Sequence, residues 1–456
     1  MARNPYAFLD QNQARYGDLF VLRLPGMPPL HICADPKAVA TLTASSYDDC
    51  ERFGGGAEYF LGPRALICLQ GDEHRSLRRQ IGPGLHAERL RACLPQMDEE
   101  AQKAVAQLRS DQPLLMHEVF QSLTLRIILR CLFGDLPPAR AEQLRSDVLA
   151  YLDGMFQSWM FALNMMVGSD SLRAAITRGS GWISRMPGAL GRLVGRLPLV
   201  SVGQRQLSLH RLLDEEIQLC TRNETNARGG LLHDLVQTES GERQLSAAEV
   251  RDQVLMLLIG GHETTATTLA WTMHCLANHP AAVQRLRAEL TSDVVQRGGP
   301  EALRTLPYLG AVIDEAMRLY PIAPFVSRRL RKPMQIADLT LPAGSYVNPC
   351  IYLIQRRADL WPEPTQFQPE RMLQRAAPAA QFFPFGAGPW RCIGAAFALY
   401  ELRIVLARIL QHFIPQPLPG VVIHPELRWL TIAPSGGLPL RLQPAANPDH
   451  APLNPR

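Results

Sequence analysis

Phe385-Gly386-Ala387-Gly388-Pro389-Trp390-Arg391-Cys392-Ile393-Gly394 decides how the rest of the chain is read. The residues after Gly394 have the pattern of an amphipathic helix ending near Phe413. A cysteine at a helix N-terminus meets unpaired amides and the positive end of the helix dipole, and both favour thiolate over thiol. Glycines at 386, 388 and 394 let backbone approach a flat ligand closely. The nine cysteines stand at 33, 50, 68, 93, 131, 220, 275, 350 and 392, and only the last has such neighbours. An odd count without any Cys-x-x-Cys argues against a disulfide framework or a zinc ribbon. The other eight read as small buried hydrophobes in a reducing compartment.

Upstream, Ser246-x-x-Glu249 is a capping box that opens a helix running to about Asn278, with Pro280 opening the next. Midway along it lies Gly260-Gly261-His262-Glu263-Thr264-Thr265. Adjacent glycines inside a helix cost about 1 kcal/mol each, so a local opening or a ligand against the backbone is expected. Glu263 beside Thr264 offers a proton source and a hydroxyl able to hold a water; a solvated acid is the plainer reading. The His-Glu-x-x-His zinc motif fails, because residue 266 is alanine. In Glu315-Ala316-Met317-Arg318 the acid and base share one helix face. His74 and Arg78 stand one helical turn apart. Residues 116–133 repeat apolar positions at helical spacing and stop at Gly134. Phe20–Leu24 and Leu30–Cys33 read as a hairpin. Met155 to Met166 is rich in methionine and aromatics, either core or the adaptable roof of an apolar cavity.

The chain has 456 residues, 46% hydrophobic and 20% charged, which excludes a disordered or collagen-like chain. Length alone suggests about three domains. Basic residues number 47 and acidic 42, and no long block of like charge marks a nucleic-acid arm. No lysine follows a glycine, so there is no phosphate-binding P-loop, and no Gly-x-Gly-x-x-Gly fingerprint occurs. The N-terminus lacks the apolar core of a signal peptide. The longest apolar run, Val254–Ile259, is far below the roughly 18 residues of a membrane span. A cytoplasmic protein without membrane anchor is expected. Residues 443–456, rich in Pro and Asn, read as a disordered tail.

Phe385, Gly388, Cys392 and Gly394 match Phe-x-x-Gly-x-Arg-x-Cys-x-Gly, and the chain resembles the cytochrome P450 family in motif order from Asn4-Pro5 to Leu438-Pro439. The resemblance implies one domain over residues 1–442: a mainly α fold with small β-sheets, the heme held between the long central helix and the Cys-loop helix. It implies heme b (iron protoporphyrin IX), with Cys392 as iron ligand and Phe385, Gly386 and Gly394 around it. Glu263 and Thr264 would relay protons to dioxygen. His74, Arg78 and Arg328 would hold the propionates. Glu315, Arg318 and Arg371 would form a buried structural triad. Two positions depart from the pattern: Trp390 replaces the usual Arg, and Gln355 stands where many relatives carry His, both read as changes on the heme's polar side. Pocket walls are expected at Gly54–Leu66, 155–166, Met256–Gly260, Ile322–Val326 and Ala433–Gly437. The implied activity is a heme-thiolate monooxygenase acting on a small apolar organic substrate. Its electrons would come from a separate ferredoxin or flavodoxin with its reductase, docking near Arg75, Arg79 or Arg391. The alternatives are a peroxide-using or rearranging heme-thiolate enzyme, or a non-enzymatic heme-binding protein.

Overall fold

The computed structural model describes residues 4–24, 27–52, 57–168, 170–176, 198–222, 224, 229–236, 243–374, 377–428 and 431–445. The chain opens with helix α1 (Pro5–Tyr16), whose first turn is capped by the Asn4 side chain accepting from Ala7 N. Strands β1 (Leu19–Leu22) and β2 (Leu30–Cys33) form the expected antiparallel hairpin. Then come α2 (Pro36–Thr43), β3 (Cys50–Arg52), α3 (Gly71–Ile81), α4 (Leu94–Gln107), α5 (Met116–Phe133), α6 (Pro138–Met155) and α7 (Pro198–Thr221). The second half contributes α8 (Ala247–Ala277), α9 (Pro280–Leu290), α10 (Pro307–Leu319), β4 (Arg328–Leu330), β5 (Tyr346–Pro349) and α11 (Ala395–His412). Strands β6 (Phe413–Pro417), β7 (Pro425–Arg428), β8 (Thr431–Pro434) and β9 (Pro439–Pro444) end the described chain. Shorter helices and strands join these elements.

Helices dominate and the sheets are small. The largest sheet has the order β1-β2-β5-β4-β3. Its register sets Arg52 of β3 opposite Arg328 of β4. That pairing joins residues far apart in sequence and matters below.

Helix α8 has 31 residues, a length of about 46 Å at 1.5 Å per residue. Both halves of its capping box form: Ser246 Oγ accepts from Glu249 N, and the Glu249 carboxylate accepts from Ser246 N. Apolar residues lie all around it, as suits a helix enclosed on its sides; α5, α7, α10, α11 and β8 pack against it. One buried apolar cluster draws on residues from Ala57 to Leu442, with α5, α8 and α11 as major contributors. At Gly62 the chain crosses α8 so closely that a Cβ would lie 2.3 Å from the Asp252 carboxyl, and φ there is +92°.

Strand β9 runs two residues past the expected start of a tail, because Gln443 and Pro444 sit opposite Ile414 and Phe413 of β6. Residues 446–456 lie outside the described residues, as does most of the Gly/Pro/Arg-interrupted segment 179–198. No helix among the described residues is long and apolar enough to cross a membrane.

Candidate active site

The Cys loop is a set of tight turns closed by backbone bonds. Cys392 N donates to Phe385 O at 2.8 Å, and Gly386 N to Phe383 O at 2.9 Å. Gly388 requires glycine twice over: its φ is +66°, and a Cβ would meet Thr43 O at the end of α2 at 2.9 Å. Phe385 packs half-buried on the main core. Gly394 caps α11, and a Cβ there would meet nothing within 4 Å. Open space at that glycine leaves room for a ligand's face. Cys392 is the exposed cysteine; seven others are buried and Cys68 is intermediate. Burial of the sulfur's surroundings pushes the Cys392 thiol up, opposed by the Gly394 amide and the guanidiniums of Arg52, Arg78 and Arg391. A metal is what makes such a sulfur ionise outright.

Those guanidiniums belong to a cationic cradle. His74 and Arg78 come from α3 as expected, and Arg328 from β4. Arg52 of β3 joins them, a residue the sequence reading missed. No local pattern marks it; only the β3–β4 register sets it beside Arg328. Arg328 is buried, with Nη1 on Ser327 O (3.0 Å), Nη2 on Ala387 O (3.3 Å) and Nε without a partner. Burial, then the Arg52 charge, lowers its pKa to about 10. His74 is buried and meets Tyr47 Oη through Nδ1 at 2.7 Å. Burial, with Arg52 and Arg78 nearby, brings it down to about 4, so the ring is neutral at pH 7. Among the described residues no carboxylate lies within 4.0 Å of the guanidiniums of Arg52, Arg78 or Arg328. Arg328 is buried and Arg52 and Arg78 are half-buried, and such a concentration of cations without an anion costs free energy unless a ligand supplies the negative charge.

Gln355 does not join this cradle, and the sequence reading is corrected there. It is buried and spends its amide on bracing the fold: Nε2 donates to Met317 O (3.1 Å) and Arg318 O (3.2 Å), while Oε1 accepts from Phe383 N (3.2 Å). It ties the end of α10 to the start of the Cys loop. The triad beside it forms as expected. Glu315 takes two bonds of 2.8 Å from Arg318 and one of 3.1 Å from Arg371.

On α8, Gly260 is exposed in the middle of a buried helix, and a Cβ there would meet nothing within 4 Å. Thr264 Oγ1 donates to the Gly260 carbonyl. Glu263, its neighbour, turns to a different environment. It is 5% exposed, and its Oε2 accepts from Gln121 Nε2 at 2.5 Å. His117 Nε2 is 3.6 Å from its Oε1. Arg428 of β7 reaches Gln121 Oε1 at 3.2 Å. Burial raises the Glu263 carboxyl to about 7, against the opposing effects of Gln121, Arg428 and Thr267. Gln121, His117 and Arg428 come from α5 and β7, and nothing local in sequence pointed to them. Of the expected pocket walls, residues 54–56 and the side chains of Trp159, Phe161 and Met165 lie outside what is described. Met155, Phe156 and Met160 are buried, and Met166 is exposed.

An exposed cysteine at a helix start, cations without anions, and Gly260 and Gly394 open to space suit a flat metal-bearing group with negative substituents, which heme b is. The comparisons agree. The cytochrome P450 family profile matches residues 1–440. The chain is 28% identical over 446 residues to a putative cytochrome P450 135B1 of Mycobacterium tuberculosis, covering 97% of this chain and 88% of the relative. It is 28% identical to a cyclooctat-9-en-7-ol 5-monooxygenase of Streptomyces melanosporofaciens, covering 92% and 87%. The solved structure of a retinoic acid-bound cyanobacterial CYP120A1 superposes with a TM-score of 0.79 at 24% identity, covering 97% and 95%. The chain belongs to the cytochrome P450 family. It is a P450 monooxygenase with heme b as its cofactor.

Proposed function

We propose that the protein inserts one oxygen atom from dioxygen into a small, largely apolar organic substrate by hydroxylation or epoxidation, with Cys392 as the residue that would bind the heme iron. The observation that carries this reading is the exposed residue Cys392 just before α11, its thiol under the influence of Arg52 and Arg78. Thiolate-ligated heme supplies the O–O cleavage chemistry when bound. His74, Arg78 and Arg328 would hold its propionates, and Gly394, where a Cβ would meet nothing within 4 Å, would give it room. The whole of residues 1–442 serves as one domain around it.

Glu263 is the proton reservoir. With burial raising its carboxyl to about 7, it can hold a proton near neutrality. Delivery requires Glu263 to leave Gln121 and turn toward Thr264, whose hydroxyl would exchange the Gly260 carbonyl for a water. The pairing of acid and alcohol favours dioxygen over peroxide as oxidant. Electrons come from a separate ferredoxin or flavodoxin with its reductase. Exposed Arg75, Arg79 and Arg391 offer it a basic docking face. The substrate class is supported by the relatives: one is named for cyclooctat-9-en-7-ol, and the structural neighbour holds retinoic acid.

The test is Thr264→Ala in a system with a redox partner. Electron use is expected to continue while product per electron falls severalfold. Unchanged coupling removes Thr264 from the relay, and turnover with peroxide but none with any redox partner favours the peroxide-using alternative.

A further inference from the structure

Trp390 stands where the family pattern carries an arginine, and its surroundings suggest why a neutral ring works there. It is 5% exposed, and its indole Nε1 is buried without a hydrogen-bond partner among the described residues. The Arg328 guanidinium lies over its ring, 4.4 Å from the centroid. Tyr47 fixes the ring from the side in an edge contact at 5.2 Å, while the Tyr47 hydroxyl engages His74 Nδ1. Arg328 Nε is likewise buried and unpartnered, so two orphan N–H groups belong to one stacked pair. If the ring served packing alone, phenylalanine would fill the role without burying an unpaired donor, and buried donors are almost always paired.

The charges explain the exchange. Arg52 and Arg328 are opposed in register, and the Arg52 charge reaches Arg328, Arg78 and His74. A further guanidinium at position 390 would place like charge directly against Arg328. An indole gives the hydrogen bond without the charge, and its π-face stabilises the cation stacked on it.

We propose that Trp390 is a propionate-binding residue of this protein: its indole N–H, with Arg328 Nε, donates to a heme carboxylate, and Arg52 supplies the positive charge that the family's arginine would carry. The proposal rests on heme binding at Cys392, and the experiment separates the two.

The ferric holoprotein is mixed with excess apomyoglobin and heme loss is timed, with the propionate bending band recorded by resonance Raman. Trp390→Phe keeps the stack and removes only the N–H. It is expected to lose heme roughly tenfold faster, the scale of one hydrogen bond to a charged group, and to shift the bending band. Arg52→Gln is expected to lose heme faster by at least as much. The double variant Arg52→Gln/Trp390→Arg restores charge and donor and is expected to return toward the wild-type rate. Heme loss and bending band unchanged in Trp390→Phe overturn the proposal, as does a double variant worse than both singles. The carbon monoxide-bound reduced spectrum of the same samples is the separate check: a red-shifted thiolate band retained in the variants confines any failure to Trp390, and its absence from the wild type indicts the ligand assignment instead.

Discussion

Arg318 and Arg328 are both buried, yet they live in opposite surroundings. Arg318 donates in parallel to the two oxygens of Glu315 and also to the carbonyls of Gln355, Pro364 and Gln366. Arg371 and the amide of Gln368 complete the hydrogen bonding of Glu315 Oε1. This cluster is closed; it needs nothing from outside the chain. Around Arg328 the balance is reversed. Arg52 adds like charge, Arg78 and the neutral His74 ring stand beside Arg52, no acid answers these cations among the described residues, and two N–H groups are left over. A closed cluster holds the fold. An open one is destabilising by itself and is kept because something else completes it. The same residue type thus serves structure in one place and ligand binding in the other, and pairing tells them apart.

Breaking the closed cluster should have the largest effect. Glu315→Ala leaves Arg318 buried and uncompensated, and a loss of about 3–5 kcal/mol in unfolding free energy is expected from denaturant titration. A loss below about 1 kcal/mol would mean that pairing does not distinguish the clusters.

Glu263 provides an intermediate case, a buried acid held by neutral groups with a cation further off. Its carboxyl is raised from 4.5 to about 7. Between those values the unfolded chain releases a proton that the folded protein retains, so this group's contribution to stability falls as pH rises. Below the window both states are protonated, and above it the loss is complete. Relative to wild type, Glu263→Gln is therefore expected to gain on the order of 3 kcal/mol between pH 4.5 and pH 8. Parallel pH profiles for the two proteins would place Glu263 in contact with solvent.

For the open cluster the stability change should be much smaller than for the closed one. Arg328→Gln removes a cation from among cations, so unfolding free energy is expected to change by less than about 1 kcal/mol in the heme-free protein, while heme escapes roughly ten- to a hundredfold faster. A variant that loses the fold as Glu315→Ala does would erase the comparison. The smallest effect is expected at the surface: Arg79→Glu should weaken binding of an acidic redox partner a fewfold at low salt and little at high salt, measured by titration. Salt-independent weakening would exclude a charge-guided face.

Much of this was legible in local sequence. Ser246 and Glu249 announced the long helix because both halves of a capping box lie within one turn. Gly388 and Cys392 announced the loop because tight turns need particular residues at fixed offsets. Glu315 and Arg318 share a helix face by spacing alone. What stayed hidden depends on contacts between distant segments. Arg52 meets Arg328 only through strand register, and Gln121, His117 and Arg428 reach Glu263 only because α5 and β7 pack on α8. Gln355 was misread because its position is close to the heme side while its amide points into the fold.

The central claim is that Cys392 carries the heme iron as a thiolate. Reducing the holoprotein and adding carbon monoxide tests it most directly. A strongly red-shifted Soret band is expected in the wild type, and its loss in Cys392→Ser. A folded, heme-loaded wild-type sample without that band, or a Cys392→Ser variant that keeps it, would contradict the claim.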